Sequence, residues 1–263
     1  MNKMMKTLAL GALMCGAMAT SWAAELTTPA GTMTTPNDVK AVSVSASQTL
    51  ALLKADSKKM ADTKFAQVVN AIGQKGDVYQ LQGTDNTTHK TALVVVYNAK
   101  DEVEKGIQSI GKEVTGMDAN PQAQLLGDLG AAILSRQFHD QNGGIVIPDS
   151  LLEPVIEGAN HALTEMEPML NKSMAQEAAK GGPDMKVKLE DMELIHKLEG
   201  TQYPTYTAGT RALLDVDGFQ MPYYVKAYAV MNPQAPTAIA VLTSDVERGY
   251  FAPMLDQAVK TIK

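Results

Sequence analysis

The most regular alternation of apolar and polar positions lies in the last quarter of the chain, Tyr203–Lys263. Asp217-Gly218 is a two-residue turn signal that calls for positive φ, with alternating residues on both sides. Setting Val216 opposite Phe219 pairs Leu214 with Met221, Ala212 with Tyr223 and Thr210 with Val225. One face is then mainly apolar, while Arg211 meets Tyr224 on the other. Pro222 cannot donate to a ladder, which places it at an edge or a bulge. Asn232–Pro236 closes the second strand, and Thr237–Thr243 forms a third. Ser244 and Glu247 have the spacing of a capping box, but Gly249 and Pro253 move the expected start of regular helix to about Tyr250. Phe251, Met254/Leu255, Ala258/Val259 and Ile262 then form an apolar stripe that should dock on the sheet.

The same reading applies upstream. Val42-Ser-Val44-Ser-Ala46 alternates as a short strand, and Phe65, Val68, Val69 and Ile72 recur at helical spacing within 62–72. Val78–Gln82 and Thr91–Tyr97 read as a hairpin about the turn residues at Gly83–Thr87, which leaves His89 in a turn. Two helical stripes follow, Val103/Ile107/Ile110/Val114 and Leu125/Leu129/Ala132/Ile133. A third helix starts at Pro148-Asp-Ser150, with Ser150 and Glu153 spaced as a capping box and a stripe of Leu152, Val155/Ile156, Ala159, Leu163 and Met166. Pro168 kinks or restarts it, Gly181-Gly182-Pro183 stops it, and strand pattern returns from Met185.

These elements predict an α+β fold: an antiparallel sheet packed against helices, with a helical middle at about 101–180 and a strand-helix module at 185–263 ending in an amphipathic helix. Leu93–Tyr97 leads into Asp101 and Val103-Glu-Lys-Gly106, and Ile239–Leu242 into Asp245-Val-Glu-Arg-Gly249. This internal echo reads either as a trace of duplication or, more simply, as two ordinary strand-to-helix junctions, since acidic residues favour the first turn of any helix.

The first residues change the picture by setting a compartment. Lys3 and Lys6, an apolar run from Leu8 to Ala19 and small residues around Ala23 have the layout of a secretory signal peptide cut after Ala23. The run is too short to span a membrane. Residues 24–41, polar and punctuated by proline, read as a flexible linker, leaving 42–263 as a single domain. Cys15, the only cysteine, leaves with the signal, so the mature chain forms no disulfide, thiolate metal site or cysteine nucleophile. Residues 1–23 hold two of the 23 basic residues and none of the 29 acidic ones, so cleavage takes the net charge from −6 to −8. An acidic chain without a basic run is a poor fit to nucleic acid or anionic lipid, and no membrane span is expected in the mature chain. The location implied is periplasmic or secreted, and the partner an unknown protein or small molecule.

Candidate chemistry is sparse. Gly106-Ile-Gln-Ser-Ile-Gly111-Lys112 begins like a phosphate-binding loop, but Glu113 stands where the metal-ligating Ser or Thr belongs and both glycines lie within a helical stripe. Glu153, Glu157, His161 and Glu165 share one helix face at intervals of four, and Glu157, His161 and Glu165 are the candidate ligands for a divalent cation. They lie opposite the apolar stripe, so an ordinary solvated acidic face is the simpler reading. His139-Asp140 falls at a helix end, and His196 alternates with acidic residues on a strand. Tyr203, Tyr206, Tyr223, Tyr224, Tyr228 and Tyr250 cluster in the final third, where strand propensity explains them without a ligand groove. No catalytic residue and no cofactor can be assigned.

The run of long strands followed by a C-terminal helix, with its SDVERGYFAPMLDQAVKTI ending, resembles the PsbP-like family over the last quarter of the chain. The resemblance implies an antiparallel sheet flanked by helices and a non-enzymatic accessory role. The functional expectation is therefore an exported, soluble envelope protein acting as a non-catalytic binding or accessory factor. The alternative is an exported hydrolase or metal-dependent enzyme built on the His161 helix face.

Overall fold

The computed structural model describes residues 23–36, 38–44, 76–85, 88–105, 138–179, 181, 184–216 and 218–263. The expected signal peptide up to residue 22, the expected helix at 62–72, the phosphate-loop-like segment and the expected stripe at 125–133 lie outside them.

A seven-stranded antiparallel sheet carries the fold. Its strands are β3 (Val39–Val44), β4 (Gly76–Asp85), β5 (Thr88–Asn98), β6 (Met185–Lys197), β7 (Thr205–Val216), β8 (Phe219–Val230) and β9 (Thr237–Ser244), in the order β3-β4-β5-β9-β8-β7-β6. Two meanders, β3–β5 and β6–β9, thus meet where β5 pairs with β9. The register about Gly218 (φ 83°) sets Val216 against Phe219, Leu214 against Met221, Ala212 against Tyr223 and Arg211 against Tyr224, as the turn signal predicts. Pro222 is tolerated because the β8–β9 ladder begins only at Tyr223, so its missing N–H falls beyond the reach of β9.

Several expectations change. Residues 24–41 do not form a flexible linker. They fold into a hairpin, β1 (Glu25–Thr28) and β2 (Gly31–Thr34), followed by β3 from Val39. Leu26 and Met33 on this hairpin have no solvent exposure, because the polar threonines alternate with two large apolar side chains that face the core. His89 is paired with Thr84 in β5 rather than sitting in a turn. Residues 100–105 are helical, consistent with the start of the predicted Val103 helix.

Helices α1 (Asp149–Thr164) and α2 (Met166–Ala178) follow, separated at Glu165, three residues before Pro168. Pro148 occupies the N-cap of α1, so Ser150 falls inside the helix rather than at the cap position expected for it. Helix α3 (Arg248–Val259) starts two residues before Tyr250, after a short 3-10 turn over Asp245–Glu247, and tolerates Pro253 in its second turn. Ser244 provides no side-chain cap there. The whole predicted stripe of α3, with Ile262 just beyond it, is buried against the sheet and the N-terminal hairpin. Among the described residues no helix is long and apolar enough to cross a membrane.

Candidate functional site

The sheet face beneath α3 is divided in two. Alternation places Ala92, Val94 and Val96 of β5 and Ile239 and Val241 of β9 on this face, and Phe251, Leu255, Ala258 and Val259 pack on them. Across β8, β7 and β6 the same face turns polar. Tyr224, Lys226 and Tyr228 project from β8, Arg211 and Gly209 from β7, and Glu190 and Glu193 from β6. One transverse row reads Glu193, Gly209, Lys226, Val241, Val94, which is the boundary between charge and core in a single line.

Lys226 is the centre of the polar half. Its side chain is only 7% exposed, so desolvation of the ammonium must be offset locally. Asp256 of α3 does most of this, with Oδ1 at 3.0 Å and Oδ2 at 3.1 Å from Nζ. Glu193 Oε2 stands 3.9 Å away and the Tyr228 ring centroid 5.7 Å away. The Tyr228 hydroxyl donates to Asp256 Oδ1 at 2.8 Å, and that of Tyr224 to Glu193 Oε1 at 2.9 Å. Burial, followed by the carboxylate beside each ring, pushes both phenols well above their ordinary range and holds them neutral.

Gly209 makes this packing possible. A Cβ there would stand 2.7 Å from the Tyr224 hydroxyl and 3.1 Å from Glu193 Oε2, so the bare backbone forms the notch in which the two groups meet.

A second set of ion pairs adjoins the first. Arg211 donates to Glu190 Oε2 at 2.7 Å and to Asp245 Oδ2 at 2.8 Å. Lys188 donates to Glu190 Oε1 at 2.7 Å, and this bond holds the Glu190 carboxyl below the usual range. The same bond raises Lys188. Arg248 lies 3.5 Å from both Asp245 Oδ1 and Asp191 Oδ2, with its guanidinium 6.0 Å from the Tyr224 ring centroid. Asp245 Oδ1 is buried without a hydrogen bond, so Arg248 balances its charge only at ion-pair distance. Asp191 has φ 48°, which accompanies the register shift between Glu190 and Glu193. That bulge turns two consecutive stretches of β6 so that both present acids to this face.

The residues singled out by sequence are placed elsewhere. Glu153, Glu157 and His161 lie on the exposed face of α1, and Glu165 is exposed at its C-cap. Among the described residues no three His, Cys, Asp or Glu side chains gather in a way that could hold a metal ion. His139 pairs with Ile145 in an isolated bridge, where Asp140 Oδ1 accepts from the Asn142 and Gly144 amides. His196 Nδ1 lies 3.0 Å from the Leu194 carbonyl oxygen on exposed β6. Of the tyrosines, Tyr224 and Tyr228 enter the cluster, while Tyr206 and Tyr223 belong to the opposite face by alternation.

The signal for Lys226 was present in the sequence: Tyr224, Lys226 and Tyr228 at spacing two must share one strand face. Their partners Glu193 and Asp256 come from distant segments, which spacing cannot bring together. No protein-family model matches the chain, and no curated protein or solved structure shows significant similarity to it.

Proposed function

We propose that the protein is an exported factor of the cell envelope that binds or assists another molecule without catalysing a reaction and without a cofactor. One observation carries this reading: Lys226, Arg211 and the two phenols of the charged cluster under α3 all find carboxylate partners within it. Lys226 and Arg211 are hydrogen-bonded to carboxylates, and both phenols donate to carboxylates. A nucleophile or general base needs a group held ready for substrate, with its activating partner beside it. In this cluster the phenols are instead kept protonated and the lysine buried, an arrangement suited to holding β6, β8 and α3 in fixed relation. The PsbP-like resemblance of the closing stretch implies an accessory role of the same kind, and the signal-like N-terminus supplies the route out of the cytoplasm.

The test pairs location with chemistry. Protein recovered from the periplasmic fraction or medium should begin at Ala24. Replacing Glu157 and His161 with Ala should leave metal content, and thermal stability in added divalent cations, unchanged. Turnover of ester, peptide or phosphoester substrates that vanishes in Lys226→Met or His161→Ala would overturn the non-catalytic reading.

A further inference from the structure

Around the Lys226–Asp256 pair the fold gathers the groups that an amide-forming condensation needs. Nζ lies 3.0 Å from Oδ1 and 3.1 Å from Oδ2 of Asp256, so it faces the carboxyl carbon between them. Reacting atoms held at about 3–3.5 Å in a fixed orientation are poised for attack. The Tyr228 hydroxyl donates to Oδ1 at 2.8 Å, and Glu193 Oε2 stands 3.9 Å from Nζ. Amine, carboxyl, hydrogen-bond donor and proton acceptor thus meet at one point, supplied by β8, α3 and β6.

Exposure separates this pair from the others. Lys188 reaches Glu190 at 2.7 Å, but its side chain is 68% exposed and its ammonium keeps its water. Lys226 is the only buried lysine among the described residues. Taking two opposite charges out of water eases the passage of a proton from one to the other, which leaves an amine beside a carboxylic acid.

We propose that Lys226 and Asp256 condense to an intramolecular isopeptide bond, with Glu193 as proton relay. Glu193 first carries a proton from Nζ to Oδ2. The freed lone pair attacks the carboxyl carbon, and the carbonyl electron pair moves onto Oδ1, where the Tyr228 hydroxyl steadies it. Glu193 then carries a second proton from nitrogen to Oδ2. The C–Oδ2 bond breaks, water leaves and the carbonyl re-forms. Ammonium and carboxylate become one amide and one water, with no oxidant and no change in net charge. Condensation in water is unfavourable for free partners, but neighbours fixed in this way reach effective molarities of about 10⁵–10⁸ M. The water has a way out, since the side chains of Asp256 and Glu193 are 27% and 43% exposed.

The bond staples α3 to β8 across 30 residues of sequence, which restricts the unfolded chain as a disulfide would. With Cys15 its only cysteine, the chain cannot form a disulfide within itself. The reaction is a single self-processing event and is independent of what the protein binds.

The test is the intact mass of the purified protein, denatured before measurement. The parent should be lighter by one water than the sequence between its observed termini, and tandem spectra of a digest should join Lys226 to Asp256. Lys226→Arg should restore the full mass. Glu193→Gln should fold, as read by circular dichroism, yet keep the water. Asp256→Asn should lose ammonia in place of water, a difference that packing alone cannot produce. A parent of full sequence mass overturns the proposal. So does a loss of water that survives Lys226→Arg, which cyclisation at an aspartate would give. A link to Glu193 instead of Asp256, or full condensation in Glu193→Gln, overturns the roles assigned. The parent's own mass decides the central claim even where a variant fails to fold.

Discussion

Gly209 and the Tyr224 hydroxyl compete for one volume, and the consequences can be measured. Gly209→Ala should cost about 1–3 kcal/mol, because the new Cβ displaces the phenol from Glu193 and strains a packed row. In a Tyr224→Phe background the same substitution should cost clearly less, since the displaced oxygen is already gone. Urea denaturation of the four proteins closes this cycle, and strict additivity would show that the notch does not exist. Tyr228 yields a pH signature. Its folded phenol is raised above the ordinary 10.0, mainly by burial, so it stays protonated when the unfolded chain ionises. The corresponding stability is complete below pH 10 and is lost as pH rises toward the folded value, at about 1.4 kcal/mol per pH unit for one tyrosine. Tyr228→Phe should therefore unfold less steeply with pH above 10 than the parent, as read by denaturant midpoints at each pH.

At the scale of elements, the N-terminal hairpin is where pattern and structure part. Threonine and proline at 27–36 have the composition of a tether, and only two positions, Leu26 and Met33, argue otherwise. Four-residue strands are too short for periodicity to stand out, yet both side chains are sealed in the core beside α3. The hairpin is also tied to the chain end: the Thr34 amide donates to Thr261 Oγ1 at 2.7 Å, and Asn232 Nδ2 to the Ala30 carbonyl at 3.2 Å. Leu26→Ala should cost about 2–5 kcal/mol by thermal or urea unfolding. A free tether would register nothing beyond about 0.5 kcal/mol. The β7–β8 hairpin and the α3 stripe were legible because long alternation and a turn residue with positive φ leave one register and one buried face.

On the scale of the whole molecule, the core joins segments from both ends of the chain. Val94 faces Val241 and Val96 faces Ile239 across the β5–β9 pairing, which is the only ladder between the two meanders among the described residues. The echoed strand-to-helix junctions after Asn98 and Ser244 therefore lie toward opposite ends of adjacent antiparallel strands. A fragment of residues 185–263 leaves β9 as a bare apolar edge and removes Leu26, Met33 and Leu81 from the core. It should show no cooperative thermal transition by circular dichroism, whereas the full chain should. By itself the sequence determined the local features: the turn at Gly218, the register of β7 on β8, the buried stripe of α3 and the shared face of Tyr224, Lys226 and Tyr228. These depend on periodicity and turn stereochemistry, which act over a few residues. Only the tertiary structure decided that the closing helix covers the face bearing Lys226, that Glu193 and Asp256 neutralise it, and that α1 and α2 shield β6. Each of those pairings spans more than a dozen residues and is set by which surfaces bury one another, information that no local pattern carries.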